Sequence, residues 1–197
     1  MKITGWQALT LVLLLGCLSS FAWAMRRFFV QPSGPTTGMR ATALCGMACA
    51  VLHVGALLLP GSVSAKRGSA AAAVYLASLL LFWWSIATNR RQPLSAIFSP
   101  DRPAHLMTKG PYRVIRHPFY CAYLLVWLAG LVATANSWLA VTVVAMSALY
   151  FRAARFEERK FLDSALARHY RSYQARTGQL IPNPWKMLSA AREGSGS

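Results

Sequence analysis

Four stretches of the chain carry no Asp, Glu, Lys or Arg: Ile3–Met25, Ala41–Ala65, Gly68–Asn89 and His117–Phe151. The first three are 23, 25 and 22 residues long. A helix needs roughly 20 mostly apolar residues to cross a hydrocarbon core about 30 Å thick. The fourth stretch, at 35 residues, would form a helix about 52 Å long at 1.5 Å per residue, too long for one crossing. The polar break Thr134-Ala135-Asn136-Ser137 falls near its middle. The pattern predicts a tight helical hairpin there, roughly Phe119–Ala133 and Ser137–Phe151. The expected fold is therefore all-α, a polytopic membrane protein with about five transmembrane helices, the last two a hairpin. Lys2 followed by Leu9–Leu18 and Ala22-Trp23-Ala24 also has the form of a secretory signal, and Leu14-Leu15-Gly16-Cys17 that of a lipoprotein box. A full-length span in a chain with several others is more simply a retained helix.

Composition agrees and excludes other classes. The 197 residues carry 21 Lys+Arg against 5 Asp+Glu, a net charge of +16. Such a charge first suggests nucleic acid. Yet charged residues make up only 13%, against about a quarter in soluble domains, and 55% are hydrophobic with a mean hydropathy of +0.37. A basic disordered tail lacks such a complement of apolar and aromatic residues. The charge reports topology instead, because Lys and Arg favour the cytoplasmic side of short loops. With the N-terminus outside, only Lys2, Lys66 and Arg67 face outward, and the other 18 basic residues and all five acids face inward. Trp6, Trp23, Trp83 and Trp84 lie near predicted helix ends, as interfacial aromatics do. The expected localisation is multi-pass in a membrane, with the N-terminus outside and the C-terminus cytosolic.

Cys17, Cys45, Cys49 and Cys121 lie in or beside predicted spans, with neither a disulfide framework nor metal spacing. They read as small packing residues, and no metal is expected. His53, alone within the second span, reads as a neutral histidine bonded to a neighbour.

Two polar segments flank the hairpin, and its geometry brings them together. The first ends Lys109-Gly110-Pro111-Tyr112-Arg113-Val114-Ile115-Arg116-His117-Pro118-Phe119-Tyr120. Gly110-Pro111 favours a turn, and Pro118 suits the first turn of a helix. Arg116 and His117 stand at that helix mouth, whose free N–H groups suit an anion. The second segment continues the fifth helix. It places Arg152, Arg155 and Arg159 on one face and sets Glu158 to pair with Arg155 at i+3. Glu157 alone reads as part of a solvated face, Glu158 as a residue with a role. Then follow Tyr170-Arg171-Ser172-Tyr173 and Gly178-Gln179-Leu180-Ile181-Pro182, an apolar strip suited to folding back over a ligand.

Together these segments resemble the membrane methyltransferases that include isoprenylcysteine carboxyl methyltransferase and the phospholipid methyltransferases. The resemblance rests on Gly110-x-Tyr112-x-x-x-Arg116-His117-Pro118-x-Tyr120, then Glu157-Glu158, Tyr170-x-x-Tyr173 and Ile181-Pro182. It covers about residues 105–185, and the first three helices match only in number and hydrophobicity. It implies S-adenosylmethionine as cofactor, with S-adenosylhomocysteine as product, under a cytosolic C-terminal cofactor-capping segment. Lys109, Gly110, Tyr112, His117, Pro118 and Tyr120 would line the cofactor pocket, and Leu180, Ile181 and Pro182 would help cover it. Arg116, Arg152 and Glu158 would lie near the reacting end, with Arg155 and Trp127 toward the substrate. The family often has Arg where this chain has Gln179, and Arg176 is the nearest residue to replace it. Ala167 stands where Gly is usual.

The implied domain organisation is a single membrane methyltransferase domain over 1–193, with three motif-free helices in 1–88, a catalytic region at 105–185 and a tail at 194–197. The implied partners are a lipophilic methyl acceptor and membrane lipid. The acceptor stays open among a prenylcysteine-type carboxylate, which Arg152 would orient, a lipid headgroup amine, whose proton Glu158 would take or whose charge it would stabilise, another isoprenoid lipid, and a small thiol or amine. Displacement at a sulfonium needs positioning and a dry site rather than a metal. Two other readings stand beside this one. Sterol-type reductases using NADPH carry a related His-Pro and closing Ile-Pro arrangement, usually with more helices. A non-catalytic protein whose basic face binds anionic lipid would explain the arginines alone.

Overall fold

The computed structural model describes residues 3–30, 36–90, 94–95 and 105–185. The expected tail at 194–197 and the charges at Lys2, Arg91, Asp101, Arg102, Lys186, Arg192 and Glu193 lie outside the described residues. Six helices follow in order: α1 Gly5–Phe28, α2 Thr37–Leu58, α3 Ala65–Asn89, α4 Pro118–Thr134, α5 Ala140–Leu162 and α6 Ala167–Arg176. Short 3-10 turns at Gly110–Arg113 and Ser137–Leu139 precede α4 and α5. A two-residue parallel pairing joins Phe29–Val30 to Leu94–Ser95. The helices α1, α2 and α3, and α5 with its leading turn, are long and apolar enough to cross a membrane, and α4 is a shorter apolar helix. The chain is all-α and polytopic.

The helix limits have local causes. Thr4 caps α1: its hydroxyl accepts from Gln7 N at 3.2 Å, and Gln7 Oε1 accepts from Thr4 N at 3.0 Å, a reciprocal cap. The α2 helix begins under the Thr36 cap and takes Arg40 into its first turn. It stops at Leu58, before the uncharged run ends, because Pro60 and Gly61 follow. The hairpin turns at the polar break, where Ala135 adopts a left-handed conformation with φ 51°.

The short α4 helix is central and packs against α1, α2, α3 and α5. It is apolar on all sides, as a helix enclosed by others must be. Buried Ala122, Ala129, Gly130 and Ala133 let its neighbours approach closely. Ser78 Oγ of α3 donates to Ala122 O at 2.7 Å. One core, with Leu14, Phe21, Tyr75, Phe82 and Val126, joins α1, α3 and α4. A second, with Cys49, Trp127, Met146 and Tyr150, joins α2, α4 and α5.

His53 has the neighbour its sequence reading anticipated. Its Nε2 lies 2.8 Å from Thr142 Oγ1, whose own hydrogen goes to Leu139 O at 2.6 Å. Nε2 is therefore the donor. A Cβ at Gly130 would lie 2.0 Å from His53 Nδ1, and both residues are buried. Gly130→Ala is expected to cost about 1–3 kcal/mol through overpacking, read as a fall in melting temperature in detergent. His53→Ala in the same chain should recover part of that loss, a negative coupling only contacting residues show.

Candidate active site

A cavity of about 740 Å³ lies among α1, α2, α4 and α5, with one end walled by the Tyr112–Pro118 loop and by Tyr170 and Tyr173 of α6. Its deeper wall is apolar and aromatic: Leu18, Phe21, Phe119, Tyr123, Val126 and Trp127. Arg40, Arg116, His117, Glu157 and Lys160 also line it, with Thr42 and His105.

The loop is held from three sides. Tyr112 is buried; its hydroxyl accepts from Asn89 Nδ2 of α3 at 3.0 Å, and its carbonyl accepts from Tyr173 Oη of α6 at 2.6 Å. Gly110 has φ 56°, and a Cβ there would strike Thr88 at the end of α3, so the turn sits flush on that helix. The closing segment runs beside the loop as a parallel bridge between Ile115 and Gly178. Gly178 N donates to Val114 O at 3.1 Å, Arg116 N to Gly178 O at 2.9 Å, and His117 N to Gln179 O at 3.1 Å. A Cβ on Gly178 would sit 1.8 Å from Ile181 O, so only glycine permits this closure.

Two adjacent glutamates of α5 grip the loop from opposite sides of His117. Glu158 is buried. Its Oε1 accepts from Arg116 Nε at 2.8 Å and His117 Nε2 at 3.1 Å, and its Oε2 accepts from Gln174 Nε2 at 2.9 Å. Arg116 also donates through Nη1 to Thr177 O of the closing segment. Glu157 stands on the cavity wall. It accepts from Tyr120 Oη, and its Oε2 lies 3.4 Å from His117 Nδ1. Rings of His117, Tyr120 and Tyr150 stack in succession at 5.5 Å.

With a carboxylate at each ring nitrogen, His117 is held as an imidazolium. Burial opposes its charge, and the hydrogen bonds to Glu157 and Glu158 overcome that, raising its pKa above the ordinary 6.5. A raised folded value means its stabilisation is complete below the unfolded pKa of about 6.5 and is lost as pH rises through the folded value. Melting temperature in detergent is expected to fall as pH is raised from 6 into the alkaline range. His117→Gln should flatten that slope.

The structure brings Tyr112, Arg116, His117, Pro118, Tyr120 and Trp127 to the cavity. Other expected site residues lie off its wall. Glu158 is buried behind it, and the Arg155–Glu158 pairing is absent among the described ion pairs, because Glu158 turns to Arg116. Arg152 and Arg155 are exposed, Arg155 lying over the Phe151 ring at 4.8 Å. Lys109 is exposed and Gly110 serves the turn. Leu180 packs on the second core, while Ile181 and Pro182 are exposed. Arg176 is exposed and donates to Ser172 O at 3.2 Å. Glu157, expected on a solvated face, is instead the only carboxylate among the described lining residues. Their adjacency hid this, since one residue is a 100° step on a helix. Arg40, Tyr123, Tyr150 and Lys160 were also missed. No cluster of potential metal ligands occurs among the described residues.

A bundle of apolar helices with a buried polar latch over an aromatic cavity suits group transfer to a lipophilic acceptor. A comparison with curated proteins finds no match. The phospholipid methyltransferase family matches residues 67–169, more than half of the chain, including α4, α5, nearly all of α3, and Arg116, His117, Glu157 and Glu158. The chain belongs to the phospholipid methyltransferase family and is a membrane methyltransferase.

Proposed function

We propose that the protein transfers a methyl group from S-adenosylmethionine to the amine of a membrane lipid at the cytosolic face. Glu157, on the cavity wall and bonded to Tyr120, carries this reading. A carboxylate facing a cavity among aromatic rings attracts a sulfonium and an ammonium, and it repels an acceptor that is itself a carboxylate. The cavity volume falls within the roughly 300–1,000 Å³ of small-molecule and cofactor sites, and its residues fit the donor. S-adenosylmethionine supplies an electrophilic methyl on positively charged sulfur.

The residues of the chain do the rest. Glu157 takes a proton from the lipid ammonium, freeing the nitrogen lone pair. With S-adenosylmethionine held there, that nitrogen would accept the methyl, and a neutral thioether would leave. Tyr112, His117, Pro118 and Tyr120 line the cofactor end, and Trp127 the acceptor end. Glu158 is a positioning residue that binds the loop to the closing segment through Arg116, His117 and Gln174. The expected catalytic region at 105–185 supplies this machinery. Arg152 and Arg155, exposed beyond the span, suit anionic headgroups around the protein. The 18 inward-facing basic residues support a cytosolic site.

Calorimetry with the purified protein separates this from the reductase reading. S-adenosylhomocysteine is expected to bind and NADPH not. Tight NADPH binding without S-adenosylhomocysteine binding would overturn the proposal.

A further inference from the structure

Part of the cavity wall comes from α1 and α2, which lie outside the family match. Several residues there line the cavity and are also exposed: Ala22 of α1, and Arg40, Ala43 and Met47 of α2. The cavity therefore opens between these two helices. From Arg40 to Ala50, both on its wall, is about 15 Å of helix, half the depth of a hydrocarbon core. Below Arg40 the α2 side of the opening is lined by Ala43, Gly46, Met47 and Ala50. This gives a path for an acyl chain with a guanidinium at its polar end. Among the described residues the Arg40 side chain has no hydrogen-bond or ion-pair partner, unlike Arg116, which the latch occupies.

We infer that Arg40 is a specificity-determining residue that binds the phosphate of the acceptor lipid while Glu157 receives its amine. This deepens the proposed methyl transfer and rests on it. The charge pattern is complementary: an anionic phosphodiester followed by an ammonium meets a cation on α2 and a carboxylate on α5. A phosphate is also the group that a membrane lipid places between its chains and its amine. Arginine suits it because its fork pairs two oxygens at once.

The test uses the full chain in detergent, with a short-chain phosphatidylethanolamine and a long-chain alkylamine lacking phosphate as acceptors. Arg40→Gln is expected to raise KM for phosphatidylethanolamine about tenfold or more. The same variant should change kcat little, and leave KM for the alkylamine and S-adenosylhomocysteine affinity unchanged. Arg40→Lys should recover part of the loss. Equal effects on both acceptors, no effect on either, or weakened S-adenosylhomocysteine binding would overturn the assignment; the last would place Arg40 at the cofactor carboxylate. Calorimetric binding of phosphatidylethanolamine to the wild type and Arg40→Gln reports independently of turnover. If neither acceptor is methylated but binding still depends on Arg40, the reaction fails and the phosphate site stands. If methylation occurs and Arg40 is immaterial to binding and KM, only the phosphate site fails.

Discussion

Glu158→Gln is expected to lower methyl transfer at least about a hundredfold and to weaken S-adenosylhomocysteine binding with it. Glu158 accepts from Arg116, His117 and Gln174 in a buried setting. Glutamine keeps the shape but replaces one accepting oxygen with a donor, which then faces other donors. It also leaves a buried guanidinium and imidazolium without their shared anion. Removing one partner of a buried pair costs about 3–5 kcal/mol. Each 1.4 kcal/mol is a factor of ten in an equilibrium, so the latched state becomes rare by two orders of magnitude or more. Because the same carboxylate joins the loop to the closing segment, cofactor affinity, turnover and melting temperature should fall together. Wild-type turnover in this variant would remove Glu158 from the machinery.

Glu157→Gln is expected to behave differently, although it alters the neighbouring residue. The carboxylate faces the cavity and bridges Tyr120 and His117. Its loss leaves the Arg116–Glu158 latch in place, so S-adenosylhomocysteine affinity should stay near wild type, and melting temperature should fall less than in Glu158→Gln because His117 loses only one of its two carboxylates. The acceptor ammonium loses its proton acceptor, and such groups contribute roughly 10²–10⁴ in rate. The fall in kcat should shrink as pH rises, because more of the amine is then already deprotonated. Isothermal titration and initial rates on the same preparations check both halves. A parallel loss of affinity and rate, as in Glu158→Gln, would make Glu157 a positioning residue only.

Much of this architecture is legible in the sequence because a membrane imposes its constraint residue by residue. The uncharged runs foreshadow α1, α3 and the hairpin, and the polar Thr134–Ser137 stretch marks the turn at Ala135. The α2 helix is displaced relative to its run. Absence of charge does not make a helix: Pro60 and Gly61 end it early, and a Thr36 cap starts it before Arg40. The loop at Tyr112–Pro118 is legible through its motif, whereas its backbone pairing with Gly178 and Gln179 is not, because the closing apolar strip reads as a cover for a ligand. The separate roles proposed for Glu157 and Glu158 were not legible. Both face His117, and only the rotation of α5 against α4 decides which one reaches the cavity. The α1–α2 wall was invisible for another reason. It is built from residues that also read as ordinary lipid-facing positions, and Arg40 read only as a topology marker.

The most direct measurement is incubation of the purified protein with S-adenosylmethionine labelled in its methyl group and a membrane lipid extract, followed by identification of the labelled product. The account predicts label on the nitrogen of an amine-bearing lipid, lost in Glu157→Gln. Label confined to a carboxylate ester, or no labelled product from any lipid, would contradict it.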